Sequence, residues 1–186
     1  MPPSLINQFR LQARNNAWSN ARLSRACAEL SSEAFAAPRV SFFPSLCQTL
    51  QHILFVDRRY LADLTGLGRA AVSRAELPDT AAALGVAQLE TDRRLIALCD
   101  SSDAPDLARV VSIDRDDGIN HRETVSAILS HLFVHQVHHR GQAHAMLAGT
   151  PVPPPQLDEF FLAQDAPARD VELRRLGIAV PHDGLG

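Results

Sequence analysis

Apolar positions recur at helical spacing over most of this chain. Residues 4–30 contain neither Pro nor Gly, and Leu5, Phe9, Ala13 and Asn16 keep a helical rhythm that Trp18, Leu23 and Leu30 follow more loosely. They predict a first long helix. Pro38 and Pro44 bracket a short linker. A second helix is predicted over 45–64, opened just after Pro44 and closed by Gly66 and Gly68. Residues 66–79 hold two Gly and Pro78 and read as a loop or a frayed helix end. A third helix is predicted over 80–99, although Gly85 inside it costs about 1 kcal/mol relative to Ala. Residues 109–122 break the rhythm. Val110, Val111, Ile113 and an Asp117–Gly118 turn predict a small hairpin. An isolated two-stranded hairpin is marginal, so this one should lean on the helices. Thr124 then caps a fourth long helix reaching Ala148, ended by Gly149 and by Pro151, Pro153, Pro154 and Pro155. Residues 158–161 and 171–176 read as a short helix or two packed on the outside, with a loose terminus.

Four long helices with one longer crossover fit an all-α four-helix bundle over about 4–150, with a C-terminal extension over 151–186. An irregular all-α domain is the alternative. At 186 residues, 46% of them hydrophobic, the chain fits a single domain (1–186) whose core needs neither disulfides nor a structural metal.

Composition narrows the chemistry. All 18 basic side chains are Arg. Without lysine there is no Schiff-base enzyme, no pyridoxal-phosphate enzyme of the usual kind and no P-loop. A net charge of −3 argues against a nucleic-acid partner. Cys27, Cys47 and Cys99 are far apart and form no CxxC, as expected of single reduced thiols in an intracellular protein. The N-terminus lacks the pattern of a signal peptide, and no run of 18 apolar residues occurs. A soluble cytoplasmic protein with no membrane partner is the expectation.

Of the eight histidines, five lie between His131 and His144 on the fourth helix. With His135 at 0°, His139 falls at about 40° and Gln142 at about −20°, in a stripe with Ile128, Leu132 and Met146. That phase points them into the bundle. His131 and His138 lie at the edge of the stripe, and His144 should face solvent. Two imidazoles at i and i+4 reach one metal ion, and neutral imidazole suits zinc, nickel, copper or iron. An HxxxH pair alone is more often surface or core polar structure than a metal site. The apolar phase and His52, alone in the apolar run 50–56, put a metal held by His52, His135 and His139 on an equal footing with that reading. Three protein ligands leave positions open, as catalytic sites do. HExxH, Glu-x-x-His, GxSxG and GxGxxG are all absent.

These segments resemble a known family. His131, His135, His138, His139, Arg140, Gly141 and Gln142 resemble the last-helix signature of the DinB (DNA-damage-inducible) family, the DinB/YfiT-like metalloenzymes. Asn16, Trp18 and Asn20 resemble its first helix. The segment 50–61, with His52, Asp57 and Tyr60, resembles its second, although the family often carries Trp where Tyr60 stands. The resemblance covers about 5–162. It implies an up-down-down-up four-helix bundle, a homodimer, a bacterial source, and a divalent metal, zinc or nickel and alternatively iron, on His52, His135 and His139. Characterised relatives include bacillithiol S-transferases and a mycothiol-dependent isomerase, so the implied partner is a small molecule such as a low-molecular-weight thiol.

Neighbouring residues take narrower roles. Gln142 is placed to bond a metal-bound water or a ligand imidazole, or a neighbouring helix. Tyr60, two turns from His52, is placed towards the open side of the metal. His138 lies beside the ligands or at an interface. Asp57 should pair structurally with an Arg or a helix end, and Arg140, turned away from the site, should make a salt bridge or a dimer contact. Gly141 predicts the close approach of another helix. His121 and His182 read as surface. The function expected is a metal-dependent transferase or hydrolase; the alternative is a non-catalytic, stress-related metal- or ligand-binding bundle acting as a dimer.

Overall fold

A computed structural model describes residues 4–114 and 119–180. The Asp117–Gly118 turn and His182 lie outside them. The chain is mostly helical. Its elements are α1 (Leu5–Ala28), α2 (Ser32–Ala36), α3 (Leu46–Thr65), α4 (Ala81–Ser101), β1 (Val110–Asp114), β2 (Asn120–Thr124), α5 (Val125–Leu147) and α6 (Ala166–Arg175). Every long helix opens on a hydroxyl cap. Ser4 accepts from the Asn7 N–H, Ser45 from Gln48, Thr80 from Ala83 and Thr124 from Ala127, at 3.2 to 3.4 Å. Each cap satisfies one orphan N–H and is worth about 1 kcal/mol. α3 stops at Gly66, whose φ of 80° turns its N–H back onto the Ala62 and Asp63 carbonyls.

α1 packs on α4 and α5, and α3 packs on the same two helices. Two apolar clusters result. One holds Phe9, Trp18, Leu95 and Leu129; the other holds Leu23, Leu50, Leu84 and Met146. Between them, along each long helix, lie buried polar residues: Asn16 and Asn20 on α1, Asp57 on α3, Gln88 and Asp92 on α4, and Gln136 and Arg140 on α5.

The hairpin forms with Val111 opposite Glu123 and Ile113 opposite His121. It leans on the helices: Val111 and Ile113 are buried in the first cluster, and the Arg109 guanidinium donates to the Leu64 carbonyl at 3.0 Å. The linker after α1 holds the unpredicted α2, capped by Ser31. The segment 66–79 contains two single-turn 3-10 helices, at Arg69–Ala71 and Arg74–Glu76.

The C-terminal extension differs more. Residues 158–161 are not helical, and the segment is not merely an outer cover. Phe160 is buried edge-on against Trp18, at 5.7 Å between ring centroids, and Leu173 and Ile178 join the same cluster. The extension closes over Trp18, whose ring also lies 4.0 Å beneath the Arg22 guanidinium. His144 belongs to that closure. It is half-buried and donates to the Pro155 carbonyl at 3.0 Å, so it does not simply face solvent.

The close helix approach expected at Gly141 occurs at Gly85. A Cβ at Gly85 would lie 3.1 Å from Ser24 Cβ on α1, whereas one at Gly141 would meet nothing within 4 Å. Gly141→Ala is therefore expected to raise the stability of the monomer by about 0.5–1 kcal/mol, the helix-propensity gain at an open site. Urea unfolding measures it. A loss instead would mean that another molecule covers this face.

Candidate metal centre

His52 comes from the N-terminal half of α3, and His135 and His139 come from successive turns of α5. One ring nitrogen from each can be chosen so that all three lie within 4.8 Å of one another. His52 Nε2 and His135 Nε2 are 3.0 Å apart. Two ring nitrogens that close need a proton or a cation between them. Imidazoles sharing one zinc at about 2.1 Å sit about 3.4 Å apart in a tetrahedral arrangement, so this pair already has the separation of co-ligands; the whole set is wider.

Electrostatics agree with a cation site. Burial first, then the neighbouring His139 and Arg74, hold His52 down to about 4. Burial and the surrounding histidines hold His135 down to about 3. His139 is lowered too, chiefly by burial and against its hydrogen bond to Gln142. All three rings are therefore neutral at pH 7, the form that binds metal.

Gln142 sits between two rings. Its Oε1 accepts from His139 Nδ1 at 2.8 Å, and its Nε2 donates to His138 Nε2 at 3.1 Å. The first bond puts the His139 proton on Nδ1 and leaves Nε2 with a lone pair. His52 Nδ1 and His135 Nδ1 are buried without a protein hydrogen bond. Packing holds the His52 ring instead: the Phe43 ring lies 4.4 Å from it, and 5.6 Å from His139. The exposed Phe42 stands 6.3 Å from His139. Sequence reading missed this aromatic wall, although two adjacent Phe in a Pro-bracketed linker just before the His52 helix were a usable signal. Beside it, an open cleft of about 400 Å³ is lined by Val40, Gln142 and Met146. A cleft of about 480 Å³ between α3, α4 and the 3-10 turns contains none of the histidines.

The remaining candidates separate. Tyr60 is buried, its ring 5.5 Å from His131 and 4.8 Å beneath the Arg69 guanidinium; His131 in turn lies 6.2 Å from His135. His138 is exposed and reaches the cluster through Gln142 and a ring contact with His139. Burial pushes the Cys27 and Cys99 thiols up to about 12, so neither is a nucleophile at neutral pH.

Two helical-phase readings change. The buried arc of α5 takes in the predicted Ile128, Leu132, His139 and Met146 but extends on through Leu129, Gln136, Arg140 and Ala143, so His139 stays inside it while His135 sits at its edge and not in its middle. His52 and His135 are half-exposed in consequence. Arg140 is not a dimer contact. It is buried, donating to Asn16, to Asn20 at 3.1 Å and to Gln136 at 3.1 Å, among the carboxylates of Asp57 and Asp92. Asp57 is structural, but its partners are amides and neither an Arg nor a helix end: it accepts from Gln88 at 2.8 Å and from Gln136.

That polar layer titrates in the opposite sense to the histidines. Burial and Asp92 push Asp57 up to about 7, and burial pushes Asp92 up to about 6. A carboxyl whose folded pKa exceeds its unfolded value of about 4 keeps its proton longer when folded, so its contribution declines as pH rises through that window. The histidines, lowered on folding, contribute stability above about 6.5 that is lost as pH falls towards 4 and 3. Asp57→Asn is expected to flatten the decline between pH 5 and 7, seen in urea midpoints; an unchanged slope would contradict the raised Asp57 pKa.

The DinB family matches this chain over residues 6–171. Among solved structures, the crystal structure of a DinB-like protein from Bacillus cereus ATCC 10987 superposes with a TM-score of 0.57 at 17% identity, covering 75% of this chain and 90% of that one. At that identity the likeness concerns the fold. No curated protein sequence matches significantly. The family's match over nearly the whole helical body, and a fold shared with a DinB-like protein, carry one conclusion: the chain belongs to the DinB family.

Proposed function

We propose that this protein binds a divalent transition metal, zinc or nickel with iron as the alternative, through His52, His135 and His139, and that it is a metal-dependent enzyme acting on a small molecule. The convergence of three neutral imidazoles from two helices, with His52 and His135 already 3.0 Å apart, carries the reading. When bound, such an ion supplies a Lewis acid that acidifies a water or a thiol. The chain's own residues do the rest. Gln142 fixes the tautomer of His139. Phe43 holds His52 and keeps water from that side. The half-exposed edge of His52 and His135 leaves room for a reactant, which favours an enzyme over a closed binding bundle. Thiol transfer from a low-molecular-weight thiol and hydrolysis are the two reactions that fit.

The single domain is read as an up-down-down-up bundle. Arg14 against Asp100 supports antiparallel α1 and α4, Gln88 against Asp57 and Gln51 against Pro78 support parallel α3 and α4, and Tyr60 against His131 supports antiparallel α3 and α5. A cytoplasmic bacterial homodimer is the proposed state. The exposed Val134 and Val137 on α5 offer an apolar face for association, and no helix among the described residues is long and apolar enough to cross a membrane.

Metal analysis of untagged protein tests the centre. One divalent ion per chain is expected, together with turnover of electrophiles by low-molecular-weight thiols that stops when the metal is stripped. Protein that carries no metal and takes up none would end the reading.

A further inference from the structure

We propose that Asp57 is a positioning residue: with Gln136 it pins α3 against α5 at the register where His52 meets His135. The inference rests on the metal-site reading for its purpose, but its geometry stands on the polar layer itself.

The layer crosses all four long helices between the two apolar clusters. Within it the bonds divide unequally. Asp92 accepts from Asn16, Asn20 and Gln88 at 3.1 Å, and the Arg140 guanidinium donates to Asn16, Asn20 and Gln136. Asp92 and Arg140 thus already form a balanced buried pair, tied through the same two asparagines. Asp57 is the charge in excess. Among the described residues its Oδ1 is buried with no hydrogen bond, and its Oδ2 accepts only from Gln88 of α4 and Gln136 of α5. Burying a carboxyl that one guanidinium cannot fully balance is unfavourable, and an apolar side chain there would be at least as stable. A residue that weakens the fold, and whose only bonds are interhelical, is best explained by what those bonds locate. Buried polar groups are best attested in that role, as setters of register.

The location is the centre. Gln136 follows His135 directly on α5, and Asp57 stands five residues, about 7.5 Å, after His52 on α3, so the pin lies within about a turn and a half of both histidines. Sliding α5 by one residue moves it about 1.5 Å along its axis and turns its side chains by about 100°. Apolar contacts are non-directional and discriminate weakly between alternative registers, whereas a buried polar contact selects one.

Asp57→Leu with Gln136→Leu removes the α3–α5 bond from both ends; Gln88 keeps its bond to Asp92 and Arg140 its bonds to Asn16 and Asn20, so the protein should still fold, at the cost of one Gln88 N–H. Two readouts follow. In metal-free protein, the nuclear Overhauser contact between the His52 and His135 rings is expected to disappear with helicity unchanged. In Co(II) titrations followed by the visible d–d bands, affinity is expected to fall at least about 10-fold, as when the supports of metal ligands are lost. Asp57→Asn, which keeps an acceptor for Gln136, should retain both the ring contact and Co(II) affinity within about threefold. If the double variant does not fold, Gln136→Met, which leaves Asp57 its Gln88 bond, must show the same two losses. A folded double variant with the ring contact and Co(II) affinity intact overturns the proposal, as does Asp57→Asn failing as badly as the double. Wild-type protein that takes no Co(II) ends the metal reading instead, and the ring contact alone then decides the positioning.

Discussion

Arg140→Met is expected to destabilise the protein by about 3–5 kcal/mol, the usual result of stripping one partner from a buried charge cluster. At roughly 2–4 °C per kcal/mol for a domain of this size, the melting temperature should drop by about 10 °C or more. The methionine fills most of the space, so the loss is electrostatic: Asp57 and Asp92 stay buried with no cation near them. The dependence on pH follows. Both carboxyls are already pushed up, to about 7 and about 6. Without the guanidinium they rise further and fold protonated, so the deficit against wild type should shrink below pH 5 and be largest above pH 7. Arg140→Lys should recover only part of it, because an ammonium is more strongly hydrated than a guanidinium and costs more to bury. Urea denaturation at pH 5 and 8 distinguishes this from a packing defect, which would be equal at both. An equal loss, or none, would mean that Arg140 is not the counter-charge of the layer.

This layer marks where sequence reading stopped. Helix ends were legible because the punctuation is local: Ser45, Thr80 and Thr124 cap within three residues, and Gly66 needs only its own positive φ. The histidine cluster was legible because i and i+4 share a face and His52 stood alone in an apolar run. Which face of α5 points inward was not. An apolar stripe through Ile128, Leu132 and Met146 suggests one centre, but Gln136 and Arg140 are polar and drop out of any hydrophobic count although both are buried. Only their partners on three other helices make their burial tolerable, and no local pattern announces a partner 120 residues away. Phe160 was hidden similarly, since the ring it packs on, Trp18, belongs to the first helix, far away in sequence.

The correction changes the chemistry of the site. Histidines in the middle of the buried face would be enclosed and ill suited to a reactant. On the edge of α3 and α5, His52 and His135 keep one side towards solvent, while burial still holds their rings neutral. The excess charge sits one layer inward, on Asp57, which is held by Gln88 and Gln136. A neutral donor set at an accessible edge backed by a rigid polar layer suits a metal that must exchange ligands.

His52→Ala is expected to lower metal affinity by at least about 100-fold, since losing a direct ligand should exceed the 10- to 100-fold seen when only its support is removed. The metal-free protein should barely notice. His52 is half-exposed, so little cavity forms, and the substitution removes an imidazole whose Nδ1 is buried without a hydrogen bond and whose burial holds it neutral. The fold should therefore be as stable as wild type or slightly better, and lose less on acidification. A ligand that binds only the folded state adds about 2.7 kcal/mol at 100 times its dissociation constant. At that metal concentration wild type should gain several degrees of melting temperature from zinc, and His52→Ala almost none. The contrast between the two states is the diagnostic. A histidine that merely completes the core would destabilise the metal-free protein on removal and leave the zinc-induced shift intact, and that result would remove His52 from the centre.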